Sequence, residues 1–347
     1  MKRIALFVII ILMALSVLAC STTEPESVAT ATPSKTPMAS IEPTPEPTPV
    51  PTLDPNLSRT TGLAFSGEYK PVLSVIENSP AARPQTGLQT ADIVYEVPVE
   101  GSITRFVCVF SDNIPEEIMP VRSGRPPFLY IQHEWDAVFM HYGGSGSEER
   151  DYSQPYSYYG HELYNDVKYD VDGLRSKWND YYSRVSSAAS PHNVAGNPKL
   201  AQELYDYQPE PILWMFDKNA TYNGEAASKI NLKMCSDEDN FISYEYDEEK
   251  DVYKRFMMGK AFKSKETGEQ VTVKNIIVQY SSYDSVQGIK LWELTGEGDA
   301  DFYIGGKLID GTWKRPTVED DTVFYDNEGN QIVLRPGNTW IHLHPDA

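Results

Sequence analysis

Apolar side chains come in short blocks along this 347-residue chain, and the length and period of each block predict an element. The first block, residues 4–15, follows Lys2 and Arg3, contains no charge and gives way to small residues. That order is a signal peptide's, and the block is shorter than the roughly 20 residues a membrane-spanning helix needs. Between residues 21 and 57 the blocks vanish: Pro25, Pro33, Pro37, Pro43, Pro45, Pro47, Pro49, Pro51 and Pro55 stand among Thr, Ser, Ala and Glu. A segment with so little to bury stays unfolded.

From Lys70 the pattern is mixed. Strands are expected over residues 72–76, 92–97 and 103–110, the last two joined as a hairpin across Glu100, Gly101 and Ser102. Pro126 and Pro127 ahead of residues 128–135 predict a helix start. Residues 137–142 read as a buried strand ended by Gly143 and Gly144, and helices are expected over 172–186 and 197–207. Past Pro209 come strands at 229–234, 241–246, 252–258, 271–280, 289–294, 302–304, 322–325 and 331–334. Turns separate them; residues 326–330 read as a hairpin turn, and 237–240 and 296–301 as solvated acidic turns. The expected class is α+β: a mixed α/β domain over 58–215, then a β-rich antiparallel domain, sandwich or barrel-like, over 216–347. A signal peptide (1–19) and a Cys20-led stalk (20–57) precede them. No fixed-period repeat is present.

Charge narrows the partners. Lys and Arg number 30 against 50 Asp and Glu, a net charge of -20, and cleavage after residue 19 would also remove Lys2 and Arg3. The stalk holds only five acids and one lysine, so most of the excess lies on the folded part. Such a surface argues against nucleic acid and against lying on anionic lipid. Of three cysteines, Cys20 closes Val17-Leu18-Ala19-Cys20, which looks like a lipobox, where the thiol takes diacylglycerol. The expected localisation is therefore the cell membrane, lipid-anchored, with the domains on the extracytoplasmic face. Cys108 and Cys235 have neither CxxC partners nor metal-ligand spacing; Cys108 reads as a buried thiol, and its pairing with Cys235 stays open, since export permits disulfides. The proline alternation over 43–51 favours polyproline II, which would give the stalk a reach of up to roughly 100 Å.

Polar residues gather at the ends of the first domain's strands: Arg83, Gln85, Glu96, Glu100, Arg105, Arg122, Ser123, Arg125, His141, Gly143, Gly144, Ser145, His192 and Asn193. The runs that hold them, Ala82-Arg83-Pro84-Gln85, Val99-Glu100-Gly101-Ser102-Ile103-Thr104-Arg105, Pro120-Val121-Arg122-Ser123-Gly124-Arg125, His141-Tyr142-Gly143-Gly144-Ser145 and Pro191-His192-Asn193, resemble the YerB-like lipoproteins. Phe302 to Gly306, Gly311-Thr312-Trp313 and Leu334 to Trp340 are similar to that family's C-terminal domain. Ser102 and Gly124 depart from the family's usual Gly and Ala. The resemblance implies paired N- and C-terminal domains and no known reaction.

Read chemically, the arginines suit bidentate capture of a carboxylate or phosphate, unless they form a structural ion-pair network. The favoured function is binding of a cell-envelope component or envelope protein through an Arg-rich pocket. Arg83, Gln85, Arg105, Arg122, Ser123, Arg125, Gly143, Gly144, Ser145, His192 and Asn193 are its candidates. One alternative is a glycan or peptide hydrolase using Glu96, Glu100 and His141; another is a transporter-associated solute-binding lipoprotein. A nucleophile at Ser145 with His192 and Asp172 meets an obstacle: Ser147 stands where a G-x-S-x-G elbow requires its last glycine, so a glycine-rich turn is expected there. His342 and His344 share a strand face; without a third ligand they read as exposed histidines, and no metal or cofactor is expected. Trp292, Tyr303, Trp313 and Trp340 would fill the core or form a sugar platform.

Overall fold

A computed structural model describes residues 54–146, 154, 156–235 and 241–345. The signal peptide, Cys20, nearly all of the stalk and the acidic turn at 237–240 lie outside the described residues. Among the described residues strand accounts for 41% and helix for 13%, so the packing is chiefly one of sheets.

Thirteen strands carry the description: β1 (Val72–Glu77), β2 (Ile93–Pro98), β3 (Thr104–Phe110), β4 (Val138–His141), β5 (Asp170–Asp172), β6 (Lys229–Lys233), β7 (Phe241–Asp247), β8 (Val252–Met257), β9 (Asn275–Ser281), β10 (Gly296–Ile304), β11 (Lys307–Arg315), β12 (Val323–Asp326) and β13 (Thr339–Pro345). Ten form the main sheet in the order β12-β11-β10-β9-β13-β2-β3-β1-β4-β5, with Glu225–Ala226 added to β11. The last strand, β13, lies parallel between β2 and β9, so the first and second halves of the chain build one sheet. β6, β7 and β8, with Lys260–Ala261 and Thr272–Val273, form a smaller antiparallel sheet.

The small sheet covers one face of the main sheet. Val94, Phe106, Cys108, Ile276, Val278 and Trp340 meet Ile230, Ile242, Tyr244, Tyr253 and Phe262 there. Residues one position along those strands, among them Tyr95, Val97, Val107, Val109, Ile277 and Ile341, point the other way. They pack with Phe128, Leu129, Ile131 and Trp135 of helix α1 (Pro126–Trp135). Because both faces are covered, β1, β2 and β3 are buried along their whole length and read as continuous apolar runs.

The structure departs from expectation in places. Residues 172–186 form no α-helix: Asp172 Oδ1 accepts from Gly143 N at 2.7 Å and Leu174 N at 3.0 Å, which turns the chain. A 3-10 stretch (Ser176–Tyr181) and a short strand (Tyr182–Arg184) follow. Helix α2 is only Pro198–Gln202, capped by Asn197 Oδ1 on Leu200 N. Residues 296–301 belong to β10 rather than a solvated turn. Ala300, Phe302 and Ile304 point inward, and the intervening Asp299 and Asp301 that suggested a loop point out. Gly298 is needed in β10 because a Cβ there would lie 2.6 Å from Trp313 Nε1. The second half is not a self-contained antiparallel sandwich or barrel, since β13 pairs parallel on both sides. Cys108 and Cys235 are buried thiols that form no disulfide with each other, and Trp292, Trp313 and Trp340 fill the core.

Candidate functional site

β1, β2, β4, β5 and β13 share one direction, so their carboxyl ends and the start of β3 gather at one end of the sheet. The expected polar residues collect there, as ligand-binding residues do in open α/β sheets. They do not make one site: the pleat sends two networks to opposite faces, and His141 stands apart from both with Asp170.

On the small-sheet side, Glu96 stands directly across from Phe106 of β3 and His342 of β13. It is fully buried, and Arg255 Nη2 donates to its Oε2 at 2.8 Å. Asn78 Nδ2 and Thr104 Oγ1 donate to Oε1 at 3.1 and 2.8 Å. Arg255 reaches this position because Tyr253, Arg255 and Met257 occupy the inward alternation of β8. Its guanidinium lies 4.6 Å from the Trp340 ring centroid, 5.0 Å from Phe262, 5.5 Å from Tyr244 and 5.7 Å from Phe106, a four-sided aromatic cage. Arg255 Nη1 also donates to Tyr244 Oη, which donates to His342 Nε2 at 2.9 Å. His342 Nδ1 closes the ring 3.4 Å from Glu96. Burial alone would raise the Glu96 pKa, but Arg255 and His342 outweigh it and hold the carboxyl at about 2. Burial lowers the pKa of His342 and keeps the imidazole neutral. Glu96 is therefore a structural carboxylate joining two sheets, not an acid-base group open to substrate. His342, expected at the surface, is fully buried.

On the α1 side, Glu77 and Arg105 face each other across β1 and β3. Arg105 Nη2 donates to Glu100 Oε1 at 3.0 Å and Nη1 to Ser123 O at 2.7 Å. Arg125, just ahead of α1, forks onto both Glu100 oxygens through Nε, at 3.0 Å, and Nη2. Burial would raise Glu100, yet Arg125 and Arg105 hold it at about 2. Burial and the charge of Arg125 push Arg105 down to about 9, still protonated at neutral pH. Glu77 Oε2 accepts from His192 Nδ1 at 2.9 Å and lies 3.5 Å from Arg122 Nε. Gln85 Nε2 donates to Glu77 O, whereas Arg83 belongs to the small-sheet side, held by the Oδ1 and backbone carbonyl of Asn78, whose Nδ2 binds Glu96. Asn193 Oδ1 takes Arg184 Nη1 at 2.8 Å, and Arg184 stacks 5.1 Å over Tyr142.

The third expected acid-base group belongs to neither network. His141 is buried with Nδ1 2.7 Å from Gly143 O and Nε2 2.6 Å from Asp170 Oδ1. A carbonyl and a carboxylate both call for donors, so the ring is an imidazolium; Asp170 raises the His141 pKa against the lowering effect of burial. Tyr158 and Tyr164 also donate to Asp170, at 2.9 and 3.1 Å. The two glycine motifs interlock above this pair: Gly124 N donates to Gly143 O at 2.9 Å, and a Cβ on Gly144 would meet Tyr158 at 2.9 Å. Ser123 Oγ is spent on Tyr142 O, and Ser145 Oγ on Tyr156 O. Since His192 sits on Glu77 and Asp172 on the Gly143 turn, the Ser145 hydrolase arrangement does not form. Sequence reasoning misses Glu77, Asn78 and Asp170, although Glu77 ends β1, Asn78 follows it and Asp170 opens β5. Arg255 is signalled only by its inward place in an alternating strand.

The description "Protein of unknown function (DUF3048) N-terminal domain" matches residues 60–209, and its C-terminal counterpart matches 230–341. The "Putative lipoprotein YerB" of Bacillus subtilis (strain 168) is 29% identical over 285 residues, which is 80% of this chain and 82% of that one. The crystal structure of YerB from Bacillus subtilis superposes with a TM-score of 0.67 at 27% identity, covering 84% of this chain and 97% of its own. The motifs read from the sequence, the shared sheet they brace and these likenesses agree: the chain belongs to the YerB-like bacterial lipoprotein family.

Proposed function

We propose that this lipoprotein is held by lipid on Cys20 at the extracytoplasmic face of the cell membrane, where it binds an anionic cell-envelope component or an acidic patch of an envelope protein. The observation that carries this reading is the charge balance of the α1-side network. Three guanidiniums, Arg105, Arg122 and Arg125, share two carboxylates, Glu77 and Glu100. One positive charge is left over on a chain of net charge -20. Arg105 and Arg125 are buried against Glu100, while the Arg122 side chain is 28% exposed and His192 beside it 24%. Arg184 and Tyr142 extend the same surface through Asn193. A planar guanidinium backed by a buried ion pair is held in place for a carboxylate or phosphate. Replacing Arg122 and Arg184 together by Ala should weaken retention on purified wall fragments by about tenfold or more while the far-UV spectrum stays unchanged. Equal retention by the variant would sink the proposal.

A further inference from the structure

A second surface, on the small-sheet side, has different chemistry. Pro80, Arg83, Pro84, Met257, Met258, Lys260, Ala261, Phe262 and Lys263 enclose an open groove of about 640 Å³. The floor is apolar: Met257 and Phe262 are buried beneath it, and Pro80 and Pro84 come from the first half of the chain. Its rim is cationic. Arg83 is fixed by two hydrogen bonds to Asn78, Lys260 and Lys263 are exposed, and no carboxylate lines the groove among the described residues. Three cations around an apolar floor stand out on a chain that carries 50 acids.

Met258 supplies an independent sign. It and Gly259 form the turn between β8 and Lys260–Ala261, with φ of 54° and 68°. A turn with two left-handed residues prefers Asn followed by Gly. Here the first place is taken by methionine, a residue ill-suited to positive φ, which is 38% exposed at the groove. A methionine in a left-handed turn at a cavity mouth is a backbone outlier of the kind that collects at ligand sites, and methionine adapts to varied apolar partners.

We infer that this groove docks an extended acidic peptide segment of another protein, with aliphatic or proline side chains against Met258, Phe262, Pro80 and Pro84 and its carboxylates on Arg83, Lys260 and Lys263. A peptide fits better than an anionic bilayer. It feels only the local positive rim within about one Debye length of 8–10 Å, whereas a bilayer would also meet the acidic remainder of the surface.

The test uses the purified full chain and a fluorescein-labelled peptide of about ten residues alternating glutamate with leucine and proline, read by anisotropy. Wild-type protein should bind, Lys260→Glu with Lys263→Glu should weaken binding about tenfold, and added salt should weaken the wild type alone. Met258→Asn, which gives the turn its preferred residue, should weaken the peptide severalfold while thermal stability holds or rises. Lys314→Ala, at an exposed lysine of the main sheet paired with Glu297 and remote from both surfaces, should leave the peptide's affinity unchanged. The inference is overturned if wild type does not bind, if the charge-reversed and Met258 variants bind as well as wild type, or if phosphatidylglycerol vesicles are retained in a Lys260- and Lys263-dependent way and the peptide is not.

Discussion

Glu96 and Glu100 stand four residues apart and share a carboxylate's chemistry, but their surroundings assign them different work. Glu96 belongs to the inter-sheet ring with Arg255, Tyr244 and His342; Glu100 anchors Arg105 and Arg125 at the mouth of α1. For a fully buried pair the informative experiment removes one partner. Glu96→Gln would strand the Arg255 charge in its aromatic cage, and urea unfolding should show a loss of about 3–5 kcal/mol. Adding Arg255→Met, which refills the cage with an apolar side chain, should restore at least about half of that loss. A loss below about 1 kcal/mol in the single variant would contradict the inter-sheet role. The same pair fixes a pH dependence. Glu96 is held at about 2 in the folded protein, below an unfolded carboxyl near 4.3. Its contribution is present above the unfolded value and is lost as pH falls from about 4.5 towards 2, a slope the double variant should lack.

At the scale of elements, β13 is the strand on which the fold turns. It is last in the chain, yet it occupies the middle of the main sheet, paired over Thr339 to Pro345 with β9 and over Thr339 to His342 with β2. Deleting residues 339–347 would leave β2 and β9 with open edges and remove Trp340, Ile341 and Leu343 from both core layers. The truncated chain should therefore lose cooperative unfolding altogether, and residues 58–215 made alone should aggregate unless residues 216–347 are co-expressed. A soluble, cooperatively unfolding 58–215 fragment would refute this. The strands themselves were legible, because β1, β2, β3 and β8 are short apolar or alternating runs bounded by turn residues. Their partners were not: a strand's hydrophobic period fixes which side chains point inward, not which neighbour supplies the ladder. The polar site residues were legible for a similar reason, since strand ends collect them. What the pattern hid was the pleat between Glu96 and Arg105, which sends two neighbouring charges to opposite faces. β10 was shortened because its solvent face is acidic, and the helix expected over 172–186 failed because Asp172 binds Gly143 and Leu174 instead of continuing a helical turn.

At the scale of the whole molecule, the proposed binding on the α1-side surface and the proposed attachment through Cys20 would make a joint demand on the segment between them. On the expectation from sequence that the proline-rich segment is extended, its 33 residues from 21 to 53, ahead of the turn that begins at Asp54, would at about 3.1 Å each reach roughly 100 Å from the membrane. A tether converts a modest affinity into retention only while its length spans the distance between anchor and target; shortened below that span, it reduces the effective concentration at the target towards zero. Attachment, reach and affinity should consequently separate in three variants. Cys20→Ser should move the protein from the membrane fraction to the soluble fraction with binding to isolated wall fragments intact. Deleting residues 25–51 should keep the protein in the membrane fraction and leave that affinity unchanged, but remove in-cell crosslinks between the Arg122 surface and the wall. Arg122→Ala with Arg184→Ala should keep attachment and reach and lose the crosslinks through affinity alone. If the stalk deletion leaves the wall crosslinks undiminished, the target lies at the membrane itself, and a short-range partner such as a neighbouring envelope protein replaces the wall as the ligand of the arginine surface.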